Sequence, residues 1–217
     1  MLLNANLKKK KLMESHHSPN NKVALFVAYF LAVQQPFLGG PAVINYSGDL
    51  IEGIFPKLEA IFPIIINITG IFGALLSIGI LARFGRRDII LLGTASSALC
   101  LLLVFFLTVS IDYRHPELTS HGIKMSLCLL FVLIRVILAS TFSPVSDLYT
   151  AEIVQPNILI WCSLCQWIVM GAVTTFFPVI GNLNNDNPSY AFAIFGIYTA
   201  VSFFIDRIVL IETKGKS

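Results

Sequence analysis

Long runs without a charged residue dominate this chain of 217 residues and limit the folds that are open to it. Hydrophobic residues make up 56% of the chain and charged residues 12%, whereas charged residues make up about a quarter of a typical soluble domain. About 20 apolar residues cross the hydrocarbon core of a bilayer as a helix. Five runs have no charge and a sixth has only Arg135: 23–48, 60–82, 89–111, 153–185, 187–205 and 125–146. The pattern predicts six membrane-spanning helices.

The spans are expected to be helices and not strands of a barrel. Lipid offers backbone groups no hydrogen-bond partner, and the runs do not alternate in polarity as barrel strands do. We therefore predict an all-α integral membrane protein with a tail at 1–22, a six-helix bundle at 23–211 and a second tail at 212–217. The predicted spans are about 23–46, 60–82, 89–111, 125–148, 158–181 and 189–211.

Lysine and arginine placement predicts the orientation of the bundle. The segments on the side of the N-terminus hold eleven of these residues and the opposite loops hold three, so the positive-inside rule puts both termini in the cytosol. The first set is Lys8–Lys11, Lys22, Arg83, Arg86, Arg87, Arg207, Lys214 and Lys216, and the second is Lys57, Arg114 and Lys124. The tract Lys8–Lys11 is interpreted as this topology signal; with a net charge of only +3, no nucleic-acid partner is expected.

Cysteine and histidine placement gives no support to a metal site. Cys162 and Cys165 form a CxxC pair inside a predicted helix, without a second pair, and the four histidines fall outside the spans. A structural zinc site needs four converging ligands. We therefore expect no metal, no cofactor and no enzymatic activity.

The first helix of each predicted triplet contains helix-breaking residues. In the first helix they are Pro36, Gly39, Gly40 and Pro41, and in the fourth they are Ser143-Pro144 and Ser146-Asp147. Breaks at corresponding positions of two inverted halves point to a binding site at the membrane midplane, because unwound backbone is tolerated where it lines a cavity. The alternative is that the prolines only kink the helices.

Several motifs in order resemble the C-terminal half of a sugar porter of the major facilitator superfamily. The quoted segments are Gln34-Gln35 followed by Gly39 to Ser47, Arg83-Phe84-Gly85-Arg86-Arg87, Leu148 to Ile153, Trp167, Phe177-Pro178 and the final Ile211 to Ser217. The resemblance covers nearly the whole chain. It implies a bundle of six helices arranged as a 3+3 inverted repeat, which is one half of a transporter with twelve helices.

The resemblance also implies a set of sugar-binding residues. Carboxamides such as Gln34 and Gln35 donate and accept hydrogen bonds without the desolvation cost of a charge, and an indole such as Trp167 covers the apolar face of a sugar ring. Asn45 lies in a matching segment, and Asn67 lies one turn from the position where the family has an asparagine and this chain has Gly70. For the two glutamines, hydrogen bonding between helices is the alternative.

The resemblance implies an inner gate as well. Arg83, Arg86 and Arg87 match the basic signature of the family, and Arg86 and Arg87 are expected to pair with Glu152, with Glu212 joining from the last helix. Such ion pairs would hold the inner ends of the helices together until the bundles rock. Positive-inside topology alone would also account for the arginines.

Departures from the family pattern fall at functional positions. Pro41 replaces an asparagine, Ala82 replaces the acid before Arg83, and Asp147 stands where an aromatic residue would cover the sugar. Arg135 is a gain in the middle of a span, where a cation must face protein, water or an anion. Function and an ion pair between subunits are both open explanations for Arg135.

Two functions compete at this level. The first is transport of a hexose-like solute by a half-size transporter, which would work as a homodimer or with a separate six-helix partner that resembles an N-terminal half. The second is a transport-inactive subunit of a larger membrane complex, and a fragmentary gene product is a third reading. All three place the chain in a membrane as a multi-pass protein among lipids.

Overall fold

A computed structural model describes residues 22–52, 55, 58, 60–111, 120–182 and 188–213. Within these ranges the regular structure is helical, and six helical segments are long and apolar enough to cross a membrane. Two of the six are broken, so that eight helices result. They are α1 (Lys22–Phe37), α2 (Gly40–Glu52), α3 (Phe62–Arg83), α4 (Arg86–Val109), α5 (His121–Ser140), α6 (Phe142–Ile153), α7 (Pro156–Asn182) and α8 (Ser189–Val209).

The first span breaks between α1 and α2 at Gly39. This residue has a φ of +88°, a conformation that glycine adopts without the steric cost that a Cβ imposes. A Cβ here would also lie 2.7 Å from a methyl group of Leu101 on α4. The break therefore depends on glycine both for its backbone conformation and for its close packing. Pro36, by contrast, lies inside α1.

The fourth span breaks at Thr141, between α5 and α6. Its backbone is at φ −122° and ψ −79°, and its Oγ1 donates to the carbonyl of Ile137 at 2.6 Å. Pro144 falls in the first turn of α6, where a missing N–H is tolerated. The sequence predicted this break at Ser143-Pro144; the structure puts it two residues earlier.

The core of the bundle lies between the broken spans and α4. Large side chains with almost no exposure fill it, among them Leu31, Phe131, Phe142 and Phe192. The most extensive helix pair is α4 with α8, followed by α3 with α5 and α1 with α7. Of the six spans, α3 and α7 have the smallest share of buried residues. These two helices therefore form much of the outer surface.

The predicted fold class is confirmed. The described residues contain six spans and no strand, as expected for half of a major facilitator fold. The described residues also place Lys22, Arg83, Arg86 and Arg207 at the ends of helices that the topology prediction assigns to one side. Most of the two predicted tails, including Lys8–Lys11, lies outside the described residues, and the division into tails and bundle stays a prediction.

Candidate functional site

A cavity with a largely apolar wall and a few polar side chains lies beside both helix breaks. Its volume is about 130 Å³. Its wall contains polar side chains from three spans, contributed by Gln35, Arg135, Ser143 and Gln166, together with the apolar residues Pro36, Gly40, Pro41, Ile44, Leu138 and Met170. We call this the central cavity. A smaller neighbouring cavity shares Gln35 and Gln166 and adds Ser146 and Asp147.

Only one of the two predicted glutamines faces the central cavity. The side chain of Gln35 lines it, and its Oε1 accepts a hydrogen bond from the Ser146 hydroxyl at 3.3 Å. Gln34 is fully buried elsewhere, where its Nε2 donates to the Asp206 carboxylate at 2.9 Å. Thr94 Oγ1 lies 3.1 Å from the same carboxylate oxygen. For Gln34 the structure thus shows the hydrogen bond between helices that the sequence left as the alternative.

Asp206 is a buried carboxylate that the sequence analysis missed. It is 1% exposed and lies on α8, three residues before the end of the helix. The uncharged run was counted only as far as residue 205, and of the two charged residues that follow, only Arg207 was used, as part of the topology signal. A carboxylate directly adjoining a long apolar run is the signal that could have identified it.

The three remaining candidate sugar contacts lie apart from the central cavity. Asn45 is exposed on α2, and Asn67 is exposed on α3, where its Nδ2 donates to the carbonyl of Pro63 in the same helix at 2.9 Å. Trp167 is 66% exposed on α7 and is not among the residues that line either cavity. Sugar-binding roles for these residues stay predictions.

Gln166 is a cavity residue that sequence reasoning missed. It lines both cavities opposite Gln35, while its neighbour Trp167 does not. Successive residues of a helix point about 100° apart, since one turn takes 3.6 residues. A carboxamide inside an apolar span, next to the tryptophan already chosen, was the available signal.

An ion pair joins the inner ends of α4 and α6. The Nη2 atom of Arg86 lies 3.2 Å from Oε1 of Glu152, and Arg86 Nε donates to the same oxygen at 3.3 Å. The second carboxylate oxygen of Glu152 accepts from the Thr213 hydroxyl at 2.5 Å. Both charged side chains are less than a quarter exposed. The expected Arg86–Glu152 pair is present in the structure; its role as a gate stays a prediction.

Glu212 contacts the same region by a different route. Its carboxylate accepts hydrogen bonds from the backbone N–H groups of Arg86 at 3.0 Å and Arg87 at 3.3 Å. These amides open α4, whose N-cap residue Gly85 supplies no side-chain cap. A carboxylate at a helix N-terminus also interacts favourably with the helix dipole. Glu212 therefore acts as a cap for α4, supplied from a segment 125 residues later in the chain.

The other predicted gate arginines do not contact Glu152 among the hydrogen bonds and ion pairs of the described residues. Arg87 donates through Nη2 to the backbone carbonyl of Arg207 at 3.0 Å. Arg83 is exposed in the last turn of α3, where a cation favours the helix dipole. Among the described residues, the inner network therefore consists of the Arg86–Glu152 ion pair, the side-chain hydrogen bond from Thr213 to Glu152 and several side chain–backbone hydrogen bonds.

The two intramembrane charges on the fourth span have no ion pair within the described part of the chain. Arg135 lines the central cavity, and Asp147 lines the smaller one with an exposed side chain. They are twelve residues apart on two consecutive helices, a rise of about 18 Å. Gln35 and Gln166, which line both cavities, connect the two regions.

Comparison with known proteins identifies the family. A family model described as "Sugar (and other) transporter" matches residues 3–217. The chain belongs to this family. A hexose transporter from Plasmodium vivax is 24% identical over 209 residues, which cover 94% of this chain and 40% of the relative. A myo-inositol transporter from Saccharomyces cerevisiae is 27% identical over 115 residues, 51% of this chain and 20% of the relative. The chain thus spans less than half the length of these relatives.

Proposed function

We propose that this chain forms one six-helix half of a sugar transporter and moves a sugar-like solute by alternating access. The observation that carries the proposal is the pair of carboxamides, Gln35 and Gln166, on the wall of a cavity beside both helix breaks. Each carboxamide both donates and accepts hydrogen bonds, as the hydroxyls of a sugar do. Membership of the sugar transporter family supports the same class of solute.

A second bundle is needed to complete this site. The central cavity is not enclosed by the described residues, and α3 and α7 are the most exposed spans. Alternating access requires two bundles that rock about a common site. We propose that a second copy of this chain, or a six-helix partner resembling the missing N-terminal half, covers the cavity.

The first experiment determines the composition of the native complex. The chain is extracted in mild detergent and its complex is sized and identified by mass spectrometry. We expect two six-helix bundles, either as a homodimer or as a heterodimer. Stable residence in a much larger assembly without transport activity would overturn the proposal.

The second experiment tests the site in proteoliposomes that contain the native oligomer. We expect counterflow of a hexose, and Gln35→Ala should reduce it roughly 10-fold, as expected for the loss of about one hydrogen bond. Gln155→Ala is the matched control, because Gln155 is an exposed carboxamide in the turn before α7. Equal activity of the two variants would remove Gln35 from the site, and no counterflow of any sugar would refute transport.

The second candidate function is a structural subunit of a membrane complex. The observation that favours it is the engagement of Gln34 with Asp206, which leaves one of the two family glutamines outside the cavity. On this hypothesis Gln35→Ala would leave both assembly and complex activity unchanged. The same proteoliposome assay therefore separates the two functions.

A further inference from the structure

Arg135 places a cation in the middle of the fourth span without an ion-pair partner among the described residues. It lies on α5, between the fully buried Ile134 and the nearly buried Leu138. The Nε atom of Arg135 is buried and has no hydrogen-bond partner among the described residues. Burying a charge without a partner is costly, and inside a membrane such a residue usually has a functional role.

The guanidinium of Arg135 is seated against the backbone of α3. A Cβ at Gly70 would lie 2.5 Å from Nη2, 2.6 Å from Nε and 2.7 Å from Cζ of Arg135. The head group therefore occupies the space that a side chain at position 70 would fill. Gly70 is also the position near which the family resemblance led us to expect a sugar-binding asparagine. Here an arginine from a neighbouring helix takes the place of that side chain.

Among the residues that the structure describes, no acidic side chain lines the central cavity to balance this charge. The carboxylate of Asp147 lines the neighbouring cavity and belongs to the following helix. The buried carboxylate of Asp206 accepts a hydrogen bond from Gln34, and neither residue lines the central cavity. Counting only the residues that the structure describes, the wall of the central cavity therefore carries a net positive charge.

Two helix N-termini and two helix C-terminal turns line the cavity. Gly40 opens α2 and Ser143 lies in the first turn of α6, whereas Pro36 and Leu138 lie in the last turns of α1 and α5. Helix N-termini carry partial positive charge and C-termini partial negative charge, so these ends largely offset one another. Among the described residues, the formal charge of the cavity wall therefore comes from Arg135.

We propose that the central cavity binds a sugar acid, with the solute carboxylate held by Arg135 and its hydroxyls by Gln35 and Gln166. The proposal rests on the proposed transport function and narrows its solute class from neutral hexoses to hexuronate-like anions. A guanidinium matches a carboxylate with two parallel hydrogen bonds. One cation fits a singly charged carboxylate better than a doubly charged phosphate. The carboxamides of Gln35 and Gln166 provide uncharged hydrogen-bond partners for the hydroxyls on the rest of the ring.

The test compares glucuronate with glucose on the same purified native complex. In a thermal-shift assay we expect glucuronate to raise Tm at a concentration at least 10-fold lower than glucose. In proteoliposomes, glucuronate should exchange at least 10-fold faster than glucose at equal low concentration. Arg135→Gln should remove the preference for glucuronate, because it should lower glucuronate exchange at least 10-fold and glucose exchange by much less.

A second variant guards against a folding defect in Arg135→Gln. Gly70→Ala keeps the charge but displaces the guanidinium, since the new Cβ meets it at 2.5–2.7 Å. We expect it to weaken glucuronate binding several-fold and to lower glucose exchange by less.

The outcomes separate this inference from the proposed function. Glucose exchange without a glucuronate preference, or an equal loss of both solutes in Arg135→Gln, would overturn the anion site and leave sugar transport standing. Dissociation of the complex in Arg135→Gln, with no effect of glucuronate on the unmodified protein, would show that Arg135 pairs with a carboxylate of a partner bundle and would also overturn it. Exchange of neither solute would refute the transport function itself.

Discussion

The inner ends of the helices and the central cavity hold charge in opposite ways. At the inner ends, Arg86 pairs with Glu152, and Glu212 accepts from two amides at the start of α4. Around the cavity, Arg135 and Asp147 make no ion pair with a described residue. The two regions share α6, which carries both Glu152 and Asp147, so their difference comes from which partners the fold brings within reach.

The comparison suggests how each region contributes. A charge with all its partners in the same chain holds elements of that chain together, and removal of one partner leaves the other uncompensated. We expect a charge without a partner among the described residues to add nothing to the stability of the isolated bundle, because no contact there compensates its desolvation. We therefore expect substitutions in the two regions to differ in their effect on stability.

The largest difference should come from two acids on α6. Glu152→Ala leaves Arg86 and Thr213 without their acceptor, which should lower the free energy of unfolding by about 2 kcal/mol and Tm by about 4–8 °C for a chain of this size. Asp147→Ala, five residues earlier on the same helix, should change Tm by less than about 2 °C. Thermal unfolding of both variants in detergent measures this contrast, and equal losses would contradict it.

A smaller effect is expected from the cap that Glu212 provides. Glu212→Ala removes an acceptor from the first turn of α4 and should cost about 1 kcal/mol. Glu212→Gln, which keeps one acceptor oxygen, should cost about half as much. Hydrogen exchange at the amides of Arg86 and Arg87 reports the loss locally. Glu52→Ala is the control, because Glu52 is exposed at the end of α2; unchanged exchange in Glu212→Ala would show that the cap is not formed.

The smallest effect on stability is expected at Arg135. In the absence of solute, Arg135→Met should leave the free energy of unfolding unchanged or raise it by up to about 1 kcal/mol, since it removes a charge without an ion-pair partner in the bundle. Arg86→Met is the matched substitution in the inner network and should be destabilising. A loss of stability in Arg135→Met equal to that in Arg86→Met would show that the two regions do not differ in this way.

Much of the fold could be predicted because it depends on local properties of the chain. The number of spans follows from the length of apolar runs. The lysines and arginines between them predict an orientation, which stays a prediction. The helix breaks at Gly39 and near Pro144 could also be predicted, because glycine and proline affect the backbone conformation at their own positions. The exact position of the second break, Thr141, was not, since it depends on packing of α5 and α6 against Gly93 on α4.

The candidate site was only partly predictable. Gln34 and Gln35 are neighbours and equally well matched by the family pattern, yet Gln34 contacts Asp206 and Gln35 lines the cavity. The same rotation between neighbours separates Trp167 from Gln166. A sequence motif names the segment that forms a site, but the rotation of each helix, which packing sets, selects the residues that face the cavity.

The sequence by itself determined that this chain is a bundle of six membrane helices of the sugar transporter type. Apolar runs, helix-breaking residues and charged residues at helix ends are each properties of short contiguous segments. The tertiary structure alone decided which charges are satisfied. Arg86 and Glu152 are 66 residues apart in the chain, and Gln34 and Asp206 are 172 apart. Arg135 on α5 packs directly against Gly70 on α3. These contacts depend on how helices far apart in the chain pack together, which no local pattern encodes.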